Sequence, residues 1–254
     1  MKYSATSTKP RSFLNDPLRN RSRPDRDIAH DSDGNACGRD CSAGLDWVGV
    51  VKVLVACEFS GTVRDAFIGG GHYALSCDLL PTEKPGPHYQ GNVMDIINDG
   101  WDLMVAHPPC TYISYAGTQL WNRPGRVYKR LEALKFFADL WEAPIPKICI
   151  ENPKSCASPT IAKYTQEIQP YYFGDPQIKT TWLWLKELPA LTYEEEPSLF
   201  EDITATKRPE PVSISNTPRK KKRYYAEGVT RDPHERARFW PGIAKAMAEQ
   251  WGGL

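Results

Sequence analysis

The sequence predicts an open α/β fold, a mostly parallel sheet with helices on both faces. Three observations carry that expectation. Short apolar runs rich in β-branched residues recur from Val51 onward, segments of helical periodicity separate them, and polar residues of the kind found in sites fall directly after the runs. Strands buried on both faces read as continuous apolar runs rather than alternating ones. Strand and helix in alternation imply crossover connections around one sheet.

Val51 to Cys57 is the first strand, followed by a turn from Glu58 to Thr62 that contains Gly61. Val63, Ala66 and Phe67 then recur at helical spacing until Gly69, Gly70 and Gly71 stop the helix. Tyr73 to Cys77 forms the second strand and ends at Asp78. Leu103 to Ala106 forms the third and ends at His107-Pro108-Pro109-Cys110. Leu131, Leu134 and Ala138 mark a further helix. Ile148 to Ile150 is a strand closed by Glu151-Asn152-Pro153, and Thr181 to Leu185 is another. The expected organisation is a disordered tail over 1–46, a core over 47–181, a small basic region over 182–232, and a helix over 233–254 that returns to the core. The tail carries Arg11, Arg19, Arg21, Arg23 and Arg26 with several Asp and Pro, and too few aliphatic residues to offset the entropy of ordering.

With 254 residues, 41% of them hydrophobic and 25% charged, the chain can build one substantial core. A formal net charge of +1 excludes a globally basic coat for nucleic acid and a supercharged acidic chain, so charged recognition has to be local. The longest apolar stretch, Trp47 to Cys57, is interrupted by Lys52 and is too short to span a bilayer. No apolar secretory segment opens the sequence, and Asp16, Asp25, Asp27 and Asp31 argue against a transit peptide, so a cytoplasmic protein without membrane contact is expected. Seven scattered cysteines, an odd number, do not form a disulfide framework. His30, Cys37 and Cys41 make an incomplete ligand set, and no metal is expected. A monomer is expected.

Gly61, Asp78, Cys110 and Glu151 all follow strand ends, the edge at which open α/β sheets bind ligands. The turn Cys57-Glu58-Phe59-Ser60-Gly61 lacks the three glycines that a pyrophosphate requires. An acid at the end of the next strand, Asp78, can accept from ribose hydroxyls. Together they suit a nucleoside cofactor without a pyrophosphate. Pro108 and Pro109 stiffen the backbone that carries Cys110. The residues alone leave Cys110 as either a nucleophile or a structural thiol. Cys57, Cys77 and Cys149 sit in apolar strands and read as core. Glu151, closing an apolar strand, is expected to have a pKa raised by burial, so that it carries a proton near neutrality.

In this order the motifs resemble the DNA cytosine carbon-5 methyltransferases, and they imply a small, divergent member of phage or bacterial type with a Rossmann-like S-adenosylmethionine-dependent methyltransferase fold. The resemblance runs from about Lys52 to Leu254. Val55 to Arg64 is similar to the cofactor loop, which implies cofactor contacts at Glu58, Phe59, Ser60 and Gly61. Asp78 stands at the family's ribose-binding acid, with Leu79 at the adenine face. Gly91-Asn92-Val93 resembles the adenine segment, with Asn92 replacing its acid. His107 to Ser114 resembles the Pro-Cys nucleophile motif, implying catalysis by Cys110, a cofactor contact at Pro109 and a DNA contact at Ser114. Glu151-Asn152-Pro153 resembles the Glu-Asn-Val motif, with Pro for Val.

Gly174 to Thr181 is similar to the Gln-x-Arg-x-Arg strand, with Lys179 at the first Arg, a catalytic position, and Thr181 at the second. Glu235 to Arg238 and Pro241 to Met247 resemble the last two motifs, compressed together. The 182–232 region then corresponds to a small target-recognition insert. Its run Arg219, Lys220, Lys221, Lys222 and Arg223, followed by Tyr224 and Tyr225, suits DNA phosphates and base stacking, and equally suits a solvated charge run. A DNA amino-methyltransferase acting on N4 of cytosine or N6 of adenine is the alternative enzyme. Drift at Asn92, Pro153 and Thr181 leaves a catalytically weak DNA-binding relative as a third reading.

Overall fold

The structure is a computed structural model that describes residues 49–193, 208–217, 220–225, 235 and 237–254, with backbone alone over 211–217 and 220–225. Seven strands form one sheet: β1 (Lys52–Ala56), β2 (Tyr73–Asp78), β3 (His88–Gln90), β4 (Leu103–Ala106), β5 (Lys147–Pro153), β6 (Gln166–Ile168) and β7 (Thr181–Lys186). Their spatial order is β3-β2-β1-β4-β5-β7-β6. β1 to β5 pair in parallel, whereas β7 runs antiparallel to both β5 and β6. This mostly parallel sheet with one reversed strand, covered by helices on both faces, is the open α/β architecture expected from the sequence. A two-stranded antiparallel ribbon, β8 (Pro211–Thr217) with β9 (Lys220–Tyr225), stands outside that sheet.

β4 and the middles of β1 and β5 are apolar because both faces of the sheet are covered there. Val53 and Val55 of β1 face one cluster with Leu103 and Val105 of β4. That cluster is closed by α1 (Thr62–Gly69), through Val63 and Phe67, and by α4 (Pro241–Trp251), through Ile243, Met247 and Trp251. Leu54, Ala56, Met104, Ala106, Ile148 and Ile150 face the other cluster. There α2 (Arg126–Trp141) contributes Phe137 and Leu140, and the short α3 (Ala157–Thr160) contributes Ala157. Successive residues of each strand therefore feed opposite cores, as the two-residue period of a strand demands.

The domain boundary expected at 181 falls at the first residue of β7, whose Leu183, Trp184 and Leu185 are buried in the core. The sheet thus continues through Lys186, because the reversed strand must fill the space between β5 and β6. The expected tail over 1–46, and 194–207, 218–219 and 226–232 of the expected insert, lie outside the described residues. Among the described residues no helix is long and apolar enough to cross a membrane.

Candidate active site

Strand register sets the site. Ala56 of β1 pairs with Cys77 of β2 and with Ala106 of β4, and Ala106 pairs with Ile150 of β5. The next residue on each strand is therefore Asp78, Cys57, His107 and Glu151, in a row along the carboxyl edge. The sheet order reverses between β1 and β4, and such a switch point opens a crevice for ligands. At this crevice the His107 N–H donates to the Ala56 carbonyl at 2.9 Å.

On the β1–β2 side, Gly61 has φ 71° and turns the chain into α1. The buried Glu58 carboxylate lies at that helix N-terminus, accepting from the Val63 N–H at 2.7 Å and the Arg64 N–H at 3.3 Å. Ser60, also buried, donates its hydroxyl to the same carboxylate at 3.1 Å. The helix end that would attract a pyrophosphate is thus already satisfied by a side chain of the chain itself.

Arg64 has no exposed surface, and all five of its guanidinium N–H groups are engaged. They reach Asp65, Ser76 Oγ, Thr82 Oγ1 and the carbonyls of Lys84 and Pro85 at 2.8–3.2 Å. A Cβ at Gly61 or Gly86 would strike this guanidinium, so both glycines are required by the close approach of Arg64. In this way α1 grips the loop that follows β2. Phe59 is buried, and its carbonyl accepts from the Glu83 N–H of the same loop at 2.9 Å.

Asp78, at the end of β2, accepts from the Leu80 N–H through Oδ1 at 2.9 Å. Beside it Leu79 is 74% exposed and Leu80 43% exposed, an apolar surface left open by the described residues. Asn92 caps a 3₁₀ turn through the Met94 N–H at 3.1 Å, and Val93 is buried beneath it. A strand-end carboxylate next to exposed aliphatic side chains fits the ribose and adenine of an adenosyl cofactor, and the Glu58-filled helix end fits one that lacks a pyrophosphate.

On the β4–β5 side, the Asn152 side-chain N–H donates to the Pro108 carbonyl at 2.8 Å. This bond joins the turn after Glu151 to the turn that carries Cys110. Pro109 is exposed and Cys110 half-buried, with the Cys110 carbonyl accepting from the Ile113 and Ser114 N–H groups. Ser114 is buried and caps the following turn through the Ala116 N–H at 3.2 Å.

Glu151 departs from expectation in its protonation. Burial is the largest influence and raises its pKa, but the His107 hydrogen bond and the charge of Lys179 outweigh it, and the net shift is downward. The expected proton-bearing carboxyl is therefore an ionised one in the resting protein. Oε2 lies 3.2 Å from His107 Nδ1, and since an ionised carboxylate only accepts, Nδ1 carries the hydrogen. His107 Nε2 is enclosed with no hydrogen-bond partner among the described residues, and its ring packs at 4.5 Å against Phe239. Lys179 Nζ stands 5.7 Å from the Trp240 ring. Asp175 accepts from the Gly242 N–H at 2.9 Å at the start of α4, two residues beyond Trp240.

The other strand thiols are poor nucleophiles. Cys57 is pushed far up by burial and then by Asp78, Cys77 rises to about 11 by burial and then Asp78, and burial raises Cys149. Cys57 and Cys149 also adjoin the site, so position alone does not separate them from Cys110.

No protein-family model matches this chain, and no curated protein matches it. Among solved structures, the S. pombe Dnmt2 methyltransferase shares 16% identity at a TM-score of 0.39, over 61% of this chain and 57% of that one. A mutant of Spodoptera frugiperda DNMT2 shares 16% at a TM-score of 0.35, over 63% and 58%. The matched region thus spans less than two thirds of either chain, and neither protein is of the phage or bacterial type expected from the sequence.

The structure sets Glu151 beside His107 and within electrostatic reach of Lys179, and it ties the turn after Glu151 to the turn that carries Cys110 through Asn152 and Pro108. Glu58, Phe59, Ser60, Gly61, Asp78 and Leu79 lie on the β1–β2 side. Arg219 lies outside the described residues, and Lys220 to Arg223 are placed only as backbone of β9. His107 and Arg64 fall inside motifs, yet residue type and spacing alone assign neither of them a role. A histidine at a strand end directly before Pro-Pro-Cys was the available signal for the first. Nothing local marks a buried arginine. Among the described residues no cluster of three metal-ligating side chains occurs.

Proposed function

We propose that the chain is an S-adenosylmethionine-dependent methyltransferase that modifies carbon-5 of cytosine in DNA through a covalent adduct with Cys110. The observation that carries this reading is the Asn152–Pro108 hydrogen bond, which fastens the Cys110 turn to the Glu151 turn at the β4–β5 edge beside the switch point. The target base leaves the stack to enter, as base-modifying enzymes require. Cys110, as thiolate, adds to carbon-6 of the ring. The electron pair displaced from the ring double bond makes carbon-5 nucleophilic, with charge developing toward nitrogen 3. Glu151, hydrogen-bonded to His107, meets nitrogen 3: it takes up a proton from solvent as the base enters, passes it to that nitrogen as the thiolate adds, and takes it back when the thiolate leaves. Lys179 offsets the carboxylate charge between turnovers. Asp78 and Leu79 hold the ribose and adenine of the cofactor, while Arg64 fixes the loop that presents them. When bound, the cofactor supplies an electrophilic methyl group to carbon-5. Loss of the carbon-5 proton to solvent and departure of the Cys110 thiolate then restore the aromatic ring.

The deciding experiment incubates the protein with S-adenosylmethionine and DNA containing 5-fluorocytosine. A denaturation-resistant adduct that is absent in Cys110→Ser supports the assignment. Normal carbon-5 methylation by Cys110→Ser, or a methyl group found on nitrogen in the modified nucleoside, defeats it.

A further inference from the structure

A second charged surface adjoins the candidate nucleophile. From Leu103 through Leu131 the sequence contains no acidic residue, while Arg123, Arg126, Lys129 and Arg130 add four cations. In a chain of net charge +1 this is a local concentration of positive potential. α2 begins at Arg126 after Gly125, with no side-chain cap and no acid in its first turn. Cations at a helix N-terminus oppose the macrodipole, and an anion is what that end attracts. Among the described residues none of these four side chains forms an ion pair.

The cations are also pre-positioned. Arg126, Lys129 and Arg130, at i, i+3 and i+4, share one face of α2. The Arg126 guanidinium lies 4.7 Å from the Tyr112 ring and Lys129 Nζ 5.5 Å from the same ring. The Arg130 guanidinium lies 4.5 Å from the Trp121 ring. Such contacts hold long side chains in place and reduce the entropy lost when a ligand arrives. Three enclosed donors of this cluster, Trp121 Nε1, Arg126 Nε and Arg130 Nη1, have no acceptor among the described residues. Arg126 Nη2 donates to the carbonyl of Thr111, the neighbour of Cys110, at 3.1 Å, so the surface is tied to the nucleophile turn.

We infer that the face formed by Tyr112, Trp121, Arg126, Lys129 and Arg130 binds the sugar–phosphate backbone of the polynucleotide that carries the target base. It thereby supplies a phosphate-reading surface distinct from the basic run of 219–223. The inference rests on the proposed function only for the identity of the polyanion.

The test measures binding of labelled oligonucleotides to the full chain from about 50 to about 200 mM salt, using duplex DNA, single-stranded DNA and RNA of one sequence. Each phosphate contact contributes about 0.7–0.9 to the slope of log affinity against log salt. Lys129→Gln with Arg130→Gln should lower that slope by nearly 2 for the strand type that binds here, so its deficit relative to wild type shrinks about tenfold over this salt range. S-adenosylmethionine affinity should stay unchanged, reporting an intact core. Should the pair of changes disturb the fold, Lys129→Gln alone, at an exposed position, should still lower the slope by about 1. Cys110→Ser should retain the wild-type slope while losing the 5-fluorocytosine adduct, so failure of this surface and failure of the catalytic reading give different results. An unchanged slope in the Lys129→Gln variant, or a wild-type chain that binds none of the three strands, overturns the inference.

Discussion

Replacing Arg64 with Met tests whether a buried cation holds the cofactor loop. The guanidinium has five hydrogen-bonded N–H groups and no exposed surface. Ser76 can turn to His88 Nδ1, which is already at 2.8 Å, and Thr82 to the Lys84 carbonyl at 2.9 Å. The Asp65 side chain is 40% exposed and reaches water. The losses without a substitute are the bonds to the Lys84 and Pro85 carbonyls. Hydrogen bonds from a charged donor contribute about 1.5–3 kcal/mol each, or about 3–6 kcal/mol gross. Removing the cation also removes its desolvation cost, several kcal/mol for a buried ion. A net loss of about 2 kcal/mol is therefore expected, seen as a fall of about 4–8 °C in Tm for a chain of this size. If the freed loop must be re-ordered by the cofactor, the same 2 kcal/mol raises the Kd for S-adenosylmethionine by about 30-fold. Thermal melts and calorimetric titration measure the two effects. In the Arg64→Met background, Gly86→Ala should cost less than in wild type, because its Cβ would otherwise meet the guanidinium at 2.7 Å. An Arg64→Met protein with wild-type Tm and wild-type cofactor affinity refutes the reasoning.

Asp78→Ala should weaken S-adenosylmethionine binding by about tenfold or more with little change in Tm, since Asp78 spends one oxygen on a local turn and sits at the ligand edge; equal cofactor affinity in titrations contradicts this. Asp175→Ala should cost about 0.5–2 kcal/mol in urea unfolding, because the first amides of α4 lose their distant cap. Glu151 has a folded pKa below the ordinary carboxylate value, so its ionised form stabilises the native state. That stabilisation is complete above about pH 4.3, the unfolded value, and disappears as pH falls through the lower folded value. Wild type should thus lose stability relative to Glu151→Gln on acidification from neutrality to about pH 3, and parallel curves for the two proteins exclude the His107 and Lys179 partnership.

The principal strands and the row of residues after them were legible because buried parallel strands leave an unmistakable apolar signature, broken by polar and proline residues at one edge. β3 and β6, three residues each, are too short to show a period. β9 carries Lys220 to Arg223, and a charge run reads as solvated chain whatever its backbone does. The protonation of Glu151 is not legible in the sequence for a different reason. Its burial follows from the local apolar run, whereas its compensating groups, His107 and Lys179, come from other strand ends, and only the register of β4, β5 and β7 brings them close. Arg64 was hidden likewise, because five partners spread from Asp65 to Pro85 become a single nest only after the loop folds back over α1.

The packing of α4 on α1 has a consequence for synthesis. Val63 and Phe67 belong to the same buried cluster as Ile243, Met247 and Trp251, a pairing that spans most of the chain. While the ribosome is still producing the segment before Pro241, one flank of the sheet stays bare and greasy. Contacts this distant in sequence slow folding and prolong exposure of apolar surface. Nascent chains halted there should therefore engage chaperones, and release them once the last turns emerge and seal that flank.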